Sequence, residues 1–258
     1  MQKRNRLKFP ASDTLSLEQD QAYFLLLENE EERKIRFHDY DEIYRRPGLY
    51  EQLFYDRLKC SSPKKVAEIL SVTLQQSDSN LTELRVLDVG AGNGMMGEAL
   101  KSHGISRLVG VDIIPEAYDS LERDRPGLYD DYFVMDLCNL SESDREAIQS
   151  WNLDCLTTVA ALGFGDIPVQ AFVEALRLVT PNSWVAFNVK ETFLEHRETT
   201  GFSKLMRELI FSEYLNLYHL ERYRHRLSIE GKPLYYFAIV GRKNGDIPEE
   251  FIDSLDLS

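Results

Sequence analysis

The chain has 258 residues, 43% of them apolar and 28% charged. That is the balance of an ordinary folded protein with room for one main core rather than two. A net charge of −13 and a pI of about 4.9 repel phosphate backbones and anionic lipid surfaces, so nucleic acid and membranes are not expected partners. No apolar run reaches the roughly 18–20 residues that span a bilayer, and the polar N-terminus lacks the apolar centre of a signal peptide, so a cytoplasmic location is expected. Cys60, Cys138 and Cys155 are widely spaced and read as free thiols. The five histidines show no zinc-ligand spacing, and no metal is expected.

Taken in order, residues 1–13 carry charge and turn signals and read as a flexible tail. Residues 14–80 read as a helical N-terminal cap. Within it, Tyr23, Phe24, Leu27, Ile35, Phe37 and Ile43 among many charges suggest one or two amphipathic helices up to Arg46, closed by Pro47-Gly48. A further helix carries Leu49 to Leu58, and another opens at Ser62-Pro63, an N-cap followed by proline at the first helical position. From residue 81 to 245 short β-branched runs alternate with helices. Strands are expected near 84–89, 107–112, 131–135, 154–160 and 183–189, and helices near 94–103, 114–124, 141–150, 168–179 and 202–214. Two last strands, 217–227 and 234–242, flank Glu230-Gly231-Lys232-Pro233 as a hairpin. The expected fold is α/β, a mostly parallel Rossmann-like sheet with a C-terminal antiparallel hairpin. Residues 246–258 read as an acidic tail.

The chemistry gathers at the end of the first strand of this region, in Asp88-Val89-Gly90-Ala91-Gly92-Asn93-Gly94 with Gly97 beyond. Four glycines in eight residues permit backbone angles that a Cβ forbids and let the chain approach a ligand at a helix start. Gly92, Gly94 and Gly97 also fit the G-x-G-x-x-G of nicotinamide and flavin binders. The reading turns on Asp88, whose carboxylate is expected to project into the crevice. There it repels a pyrophosphate and attracts the ammonium of a methionine moiety, which favours S-adenosylmethionine.

Asp88 to Gly94 resembles motif I, D-x-G-x-G-x-G, of the class I S-adenosylmethionine-dependent methyltransferases, at full match. A narrower likeness is to the small Williams–Beuren-region methyltransferase-like proteins, on the Ala160-Ala161-Leu162 segment and the aromatic helices before the first strand. The class resemblance implies a seven-stranded sheet and makes Asp88, Gly90, Ala91, Gly92 and Gly94 cofactor-binding residues. Asp112 with Ile113, at the end of the second strand, then holds the ribose. Asp136 and Leu137, at the end of the third, meet the adenine amine and a ring nitrogen, and Ala160 closes the site after the fourth. Tyr50 and Tyr55, in the cap, are candidate lid contacts.

The segment 160–166 lacks the Asn/Asp-Pro-Pro-aromatic element of adenine and glutamine methylating enzymes, and the chain lacks a proline-cysteine pair for cytosine attack. DNA methylation is therefore not expected, and the acceptor is expected to be a small or medium organic molecule, with a protein side chain as the second option. Asp166, Glu191 and His196 are the acids and bases placed near strand ends, and none of their patterns marks a catalytic base. An NAD- or FAD-dependent oxidoreductase and a non-catalytic S-adenosylmethionine-binding protein are the alternatives.

Overall fold

The computed structural model describes residues 4–10, 21–162, 166–194, 201–255 and 257. Its larger sheet has seven strands: β4 (Arg85–Val89), β5 (Arg107–Asp112), β6 (Asp131–Val134), β7 (Cys155–Thr158), β8 (Trp184–Lys190), β9 (Leu215–Leu227) and β10 (Pro233–Lys243). They lie in the order β6-β5-β4-β7-β8-β10-β9, parallel except for β10, which runs antiparallel to both β8 and β9. The strands between 85 and 243 follow their expected positions closely, and in the central ones burial dictates the composition. Parallel strands covered on both faces need unbroken apolar runs, and Val185, Ala186, Phe187 and Val189 in β8 are all buried.

The crossover helices α3 (Met95–Ser102), α4 (Pro115–Asp124), α5 (Glu142–Gln149) and α6 (Val169–Leu178) cover the sheet, with α7 (Phe202–Phe211) leading into β9. Two apolar clusters result, one centred on Leu87, Phe172 and Phe187 and one on Val86, Leu100 and Trp184. Since β4 sits between β5 and β7, successive crossovers leave it in opposite directions. That switch point opens a crevice beyond the strands' C-terminal ends, where open α/β sheets bind ligands.

The N-terminal region departs from a purely helical cap. Residues Arg6–Lys8, Tyr23–Glu28 and Glu31–Arg36 form β1, β2 and β3 of a separate antiparallel sheet. In β2 and β3 the buried positions are Phe24, Leu26 and Ile35, a period of two rather than 3.6. Asn29 and Glu30 link the strands with φ of 50° and 70°, the two left-handed residues of a type I′ turn. Nor is the whole start of the chain a loose tail. β1 pairs with β2, and Gln52 clasps the Asn5 backbone, accepting from its N–H at 2.8 Å and donating to its carbonyl at 2.7 Å.

Helices follow the hairpin: α1 (Tyr40–Tyr44), a π-helical segment (Glu51–Arg57) and α2 (Ser62–Gln76), the last opening at Ser62-Pro63 as its sequence dictates. This cap has its own core of Phe24, Phe37, Leu49, Leu53 and Leu58 among others. It docks on α4 through Arg45–Glu116 at 2.6 Å and an Arg123 bond to the Tyr44 carbonyl at 3.1 Å. The acidic C-terminal stretch is also no simple tail. It contains α8 (Glu249–Asp253), and Ile247 and Leu255 join the core while Phe251 meets Tyr214 at 4.6 Å between ring centres. Among the described residues, no helix is long and apolar enough to cross a membrane.

Candidate functional site

The crevice beyond β4, β5, β6 and β7 holds a cavity of about 340 Å³, within the range of small-molecule and cofactor sites. Its floor is built from Gly90, Asp112, Ile113, Asp136, Leu137 and Ala160, and the cap contributes His38, Tyr40, Tyr44 and Tyr50. Ile113 is 57% exposed.

Strand ends and turns position each polar group. Asp112, at the end of β5, accepts from the Gly92 N–H at 2.9 Å and from the Ile114 N–H at 3.0 Å. Burial nevertheless raises its pKa, those backbone donors opposing the shift. Asp136 accepts from the Cys138 N–H at 2.9 Å and the Asn139 amide at 2.7 Å, and the Asn139 bond leads in holding its carboxyl below the usual range. Ala160 has a left-handed backbone, φ 59°, at a cost of about 1–3 kcal/mol for a residue with a Cβ. It is held there by Asn188 of β8, whose Oδ1 accepts from the Ala160 N–H at 2.7 Å. The Asn188 amide donates in turn to the Tyr223 hydroxyl at 2.7 Å, so the turn is anchored in the core.

The glycine loop works differently from its sequence reading. The N–H groups of Gly90 and Ala91 both donate to the Val111 carbonyl, at 2.9 and 3.1 Å; that of Gly92 goes to Asp112, and that of Gly94 to the Ala91 carbonyl. These amides hold the loop to β5 instead of forming a cradle for phosphate. Gly90, with φ 69°, lines the cavity, and a Cβ there would stand 2.9 Å from that of Ala161. At Gly92, φ 56°, a Cβ would lie 2.5 Å from the Tyr44 hydroxyl, so the cap closes directly on the loop. Ala91, Gly92 and Gly94 shape the turn but do not line the cavity.

Asp88 requires a correction. It is 1% exposed, and its carboxylate accepts from the Tyr129 hydroxyl and the Thr157 hydroxyl, each at 2.7 Å. It does not project into the crevice, so its charge does not choose the ligand as the sequence suggested. Tyr50 does line the cavity, whereas Tyr55 stands behind it with ring centres 6.1 Å apart. Among the three candidate bases, Asp166 reaches the cavity, Glu191 is paired with Arg222 at 2.6 Å away from it, and His196 lies outside the described residues.

Sequence reasoning missed His38, Tyr40 and Tyr44. His38 Nδ1 lies 2.8 and 2.9 Å from the two oxygens of Asp166, joining the cap to the loop after β7 within the cavity wall. Tyr40 stacks on Tyr44, and Tyr44 packs on Tyr50 with ring centres 5.0 Å apart. Their aromatic run from 37 to 55 was visible, but not which faces it turned to the cleft.

Residues 87–187 match the family model described as a methyltransferase domain. No curated protein matches the chain. Among solved structures, the N-methyltransferase NodS from Bradyrhizobium japonicum WM9, in complex with S-adenosylhomocysteine, is similar at 13% identity with a TM-score of 0.50. That likeness covers 80% of this chain and 97% of NodS. The Thermoplasma acidophilum protein 1320 is similar at 15% identity and a TM-score of 0.50, covering 80% of this chain and 99% of its own. The motif I resemblance thus holds at the level of the class: the fold is the Rossmann-like α/β fold of the class I methyltransferases.

Proposed function

We propose that this chain, with its class I methyltransferase fold, is an S-adenosylmethionine-dependent methyltransferase acting on a small organic acceptor bound beneath the N-terminal cap. The observation that carries the reading is the cavity itself, in which Gly90, Asp112, Ile113, Asp136, Leu137 and Ala160 converge from four strand ends. In this reading Asp112 receives the ribose hydroxyls and Asp136 the adenine amine, with Ile113 beneath the ring. Gly90 lets the methionine end pass toward Ala160. A dinucleotide fits the site poorly, because the loop amides that would meet its pyrophosphate are already engaged.

Bound here, S-adenosylmethionine supplies a sulfonium methyl that forms a bond to the acceptor's lone pair, while the electrons of the broken C–S bond remain on sulfur as S-adenosylhomocysteine. The chain's part is to hold the two partners in line, exclude water and receive any proton the acceptor releases. Tyr40, Tyr44 and Tyr50 form the water-excluding roof. His38, with Asp166 fixing its ring, is the proton acceptor in the wall.

Thermal unfolding tests the cofactor. S-adenosylhomocysteine at about 100 times its dissociation constant is expected to add roughly 2.7 kcal/mol, a rise of about 5–10 °C in Tm for a chain of this size. NAD is expected to give no shift, and a shift with NAD alone would transfer the site to the oxidoreductases. With a proton-releasing acceptor, His38→Gln is expected to keep S-adenosylhomocysteine binding while lowering kcat by about 10²–10⁴. Unchanged turnover in that variant, followed as methyl transfer across pH, would remove His38 from the chemistry.

A further inference from the structure

Beside the main cavity lies a smaller one of about 40 Å³, room for a few water-sized groups and so for one end of a molecule. The two share His38, Tyr40, Tyr50, Ala160 and Asp166 in their walls, so the inner space adjoins the outer one where an acceptor would enter. Its remaining lining is mostly aromatic or apolar, with Phe37, Phe54, Leu162 and Tyr236. Cys60, His225 and Arg226 complete it.

Arg226 is 5% exposed. Its recorded hydrogen bond runs from Nη1 to the Leu227 carbonyl at 3.0 Å, and its guanidinium lies over the Phe37 ring at 5.4 Å. Among the described residues, no carboxylate lies within ion-pair distance of it. Asp166, the acid in the same wall, is engaged by His38. The other titratable groups around it are Tyr236, His225, Cys60, Tyr40 and Tyr50, none of them a carboxylate. Burial pushes His225 well below its usual pKa and keeps it neutral, with the Ser62 hydroxyl 2.6 Å from its Nδ1. Burial raises the Cys60 thiol and the hydroxyls of Tyr40 and Tyr50. A guanidinium has five donors in a planar fork, matched to the two oxygens of a carboxylate. Buried charges are normally paired, and an unmatched one facing a cavity is a vacancy for an anion.

We propose that the inner cavity anchors one end of the methyl acceptor, and that the acceptor is a carboxylic acid whose carboxylate is gripped there by Arg226 while its apolar body extends into the outer cavity. This rests on the methyltransferase reading and names the substrate class for it. The body lies against Tyr40 and Tyr50, which both cavities share, and the acceptor's nucleophilic atom is left toward His38 and the cofactor. In a chain of net charge −13, long-range steering opposes an anion, so recognition depends on this buried cation.

Isothermal titration of the full chain, with and without saturating S-adenosylhomocysteine, tests it using benzoate, phenylacetate and hexanoate, each beside its neutral amide. At least one acid is expected to bind 10-fold or more tightly than its amide. Arg226→Leu should weaken that acid by about 10- to 100-fold, the loss of a charge-assisted contact. It should leave the amide and S-adenosylhomocysteine unaffected, and Arg226→Lys should recover part of the loss. Equal binding of every acid and its amide, or an Arg226→Leu variant that binds the acid like wild type, overturns the proposal. Failure of S-adenosylhomocysteine to bind wild type would instead overturn the cofactor reading, while the acid-over-amide comparison is still read without it. Ligand-free Arg226→Leu is expected to melt at or above the wild-type temperature, since it removes an unmatched buried charge. A lower Tm would make Arg226 a structural residue and likewise overturn the proposal.

Discussion

Replacing Asp112 with alanine is expected to raise the dissociation constant for S-adenosylhomocysteine by at least about 100-fold, measured by calorimetry. An ionised carboxylate offers about four acceptor positions, and the Gly92 and Ile114 amides occupy two of them. Asp112 also lines the cavity, where in the proposed complex a ribose donates two hydrogen bonds to it. At roughly 1.5–3 kcal/mol for each bond to a charged group, losing both corresponds to a factor of about 10² to 10⁴. Alanine also releases Gly92 from β5, so the loop no longer arrives pre-formed. Asp136→Ala makes a graded comparison, because that carboxylate is half-buried and held by the Cys138 amide and Asn139 instead of the glycine loop. Its expected loss is about 10-fold, one charge-assisted bond. An Asp112→Ala variant that bound within a few-fold of wild type would show that the ribose lies elsewhere.

Why Asp112 and Asp136 were legible in sequence, while His38 and Arg226 were not, follows from how each is positioned. The two acids end strands, and a strand end in a parallel sheet faces the ligand crevice whatever the rest of the chain does. His38 reaches Asp166 across 128 residues of sequence, and Arg226 is brought in by the last hairpin. Neither contact leaves a local pattern. The hairpin of β2 and β3 was misread for a related reason. Its turn, Asn29-Glu30, lacks the usual glycine, and the exposed charges from Glu31 to Lys34 obscure the alternation that Phe24, Leu26 and Ile35 obey. The central strands β4, β5, β7 and β8 were plain because they are filled by core, whereas the edge strands β6 and β9 are only partly buried and were marked by the turn residues around them. Asp88 shows the limit of motif reading: a motif fixes which residue is present, but the packing of Tyr129 and Thr157 decides which way its carboxylate is used.

That burial gives Asp88 a measurable signature. Desolvation pushes its pKa up to about 6 from 3.8, with the Asp112 charge adding to the rise and the Tyr129 and Thr157 hydroxyls opposing it. Between these two values the folded chain keeps the proton while the unfolded chain has released it, so the folded state binds more protons and stability falls as pH rises. The loss begins near pH 4, is complete above about pH 6.5, and amounts to roughly 3 kcal/mol for a shift of about two units. Other acids titrate in the same range, so the measurement is a difference: urea unfolding of wild type and Asp88→Asn at pH 4, 5, 6 and 7.5. Wild type is expected to lose about 3 kcal/mol relative to the variant across that interval, and a flat difference would mean that Asp88 is ionised at ordinary cost. The same variant is expected to bind S-adenosylhomocysteine nearly as wild type does, because Asp88 does not line the cavity. A large loss of affinity on removing this one charge would restore the ammonium contact that the sequence suggested and reverse the division of labour between Asp88 and Asp112.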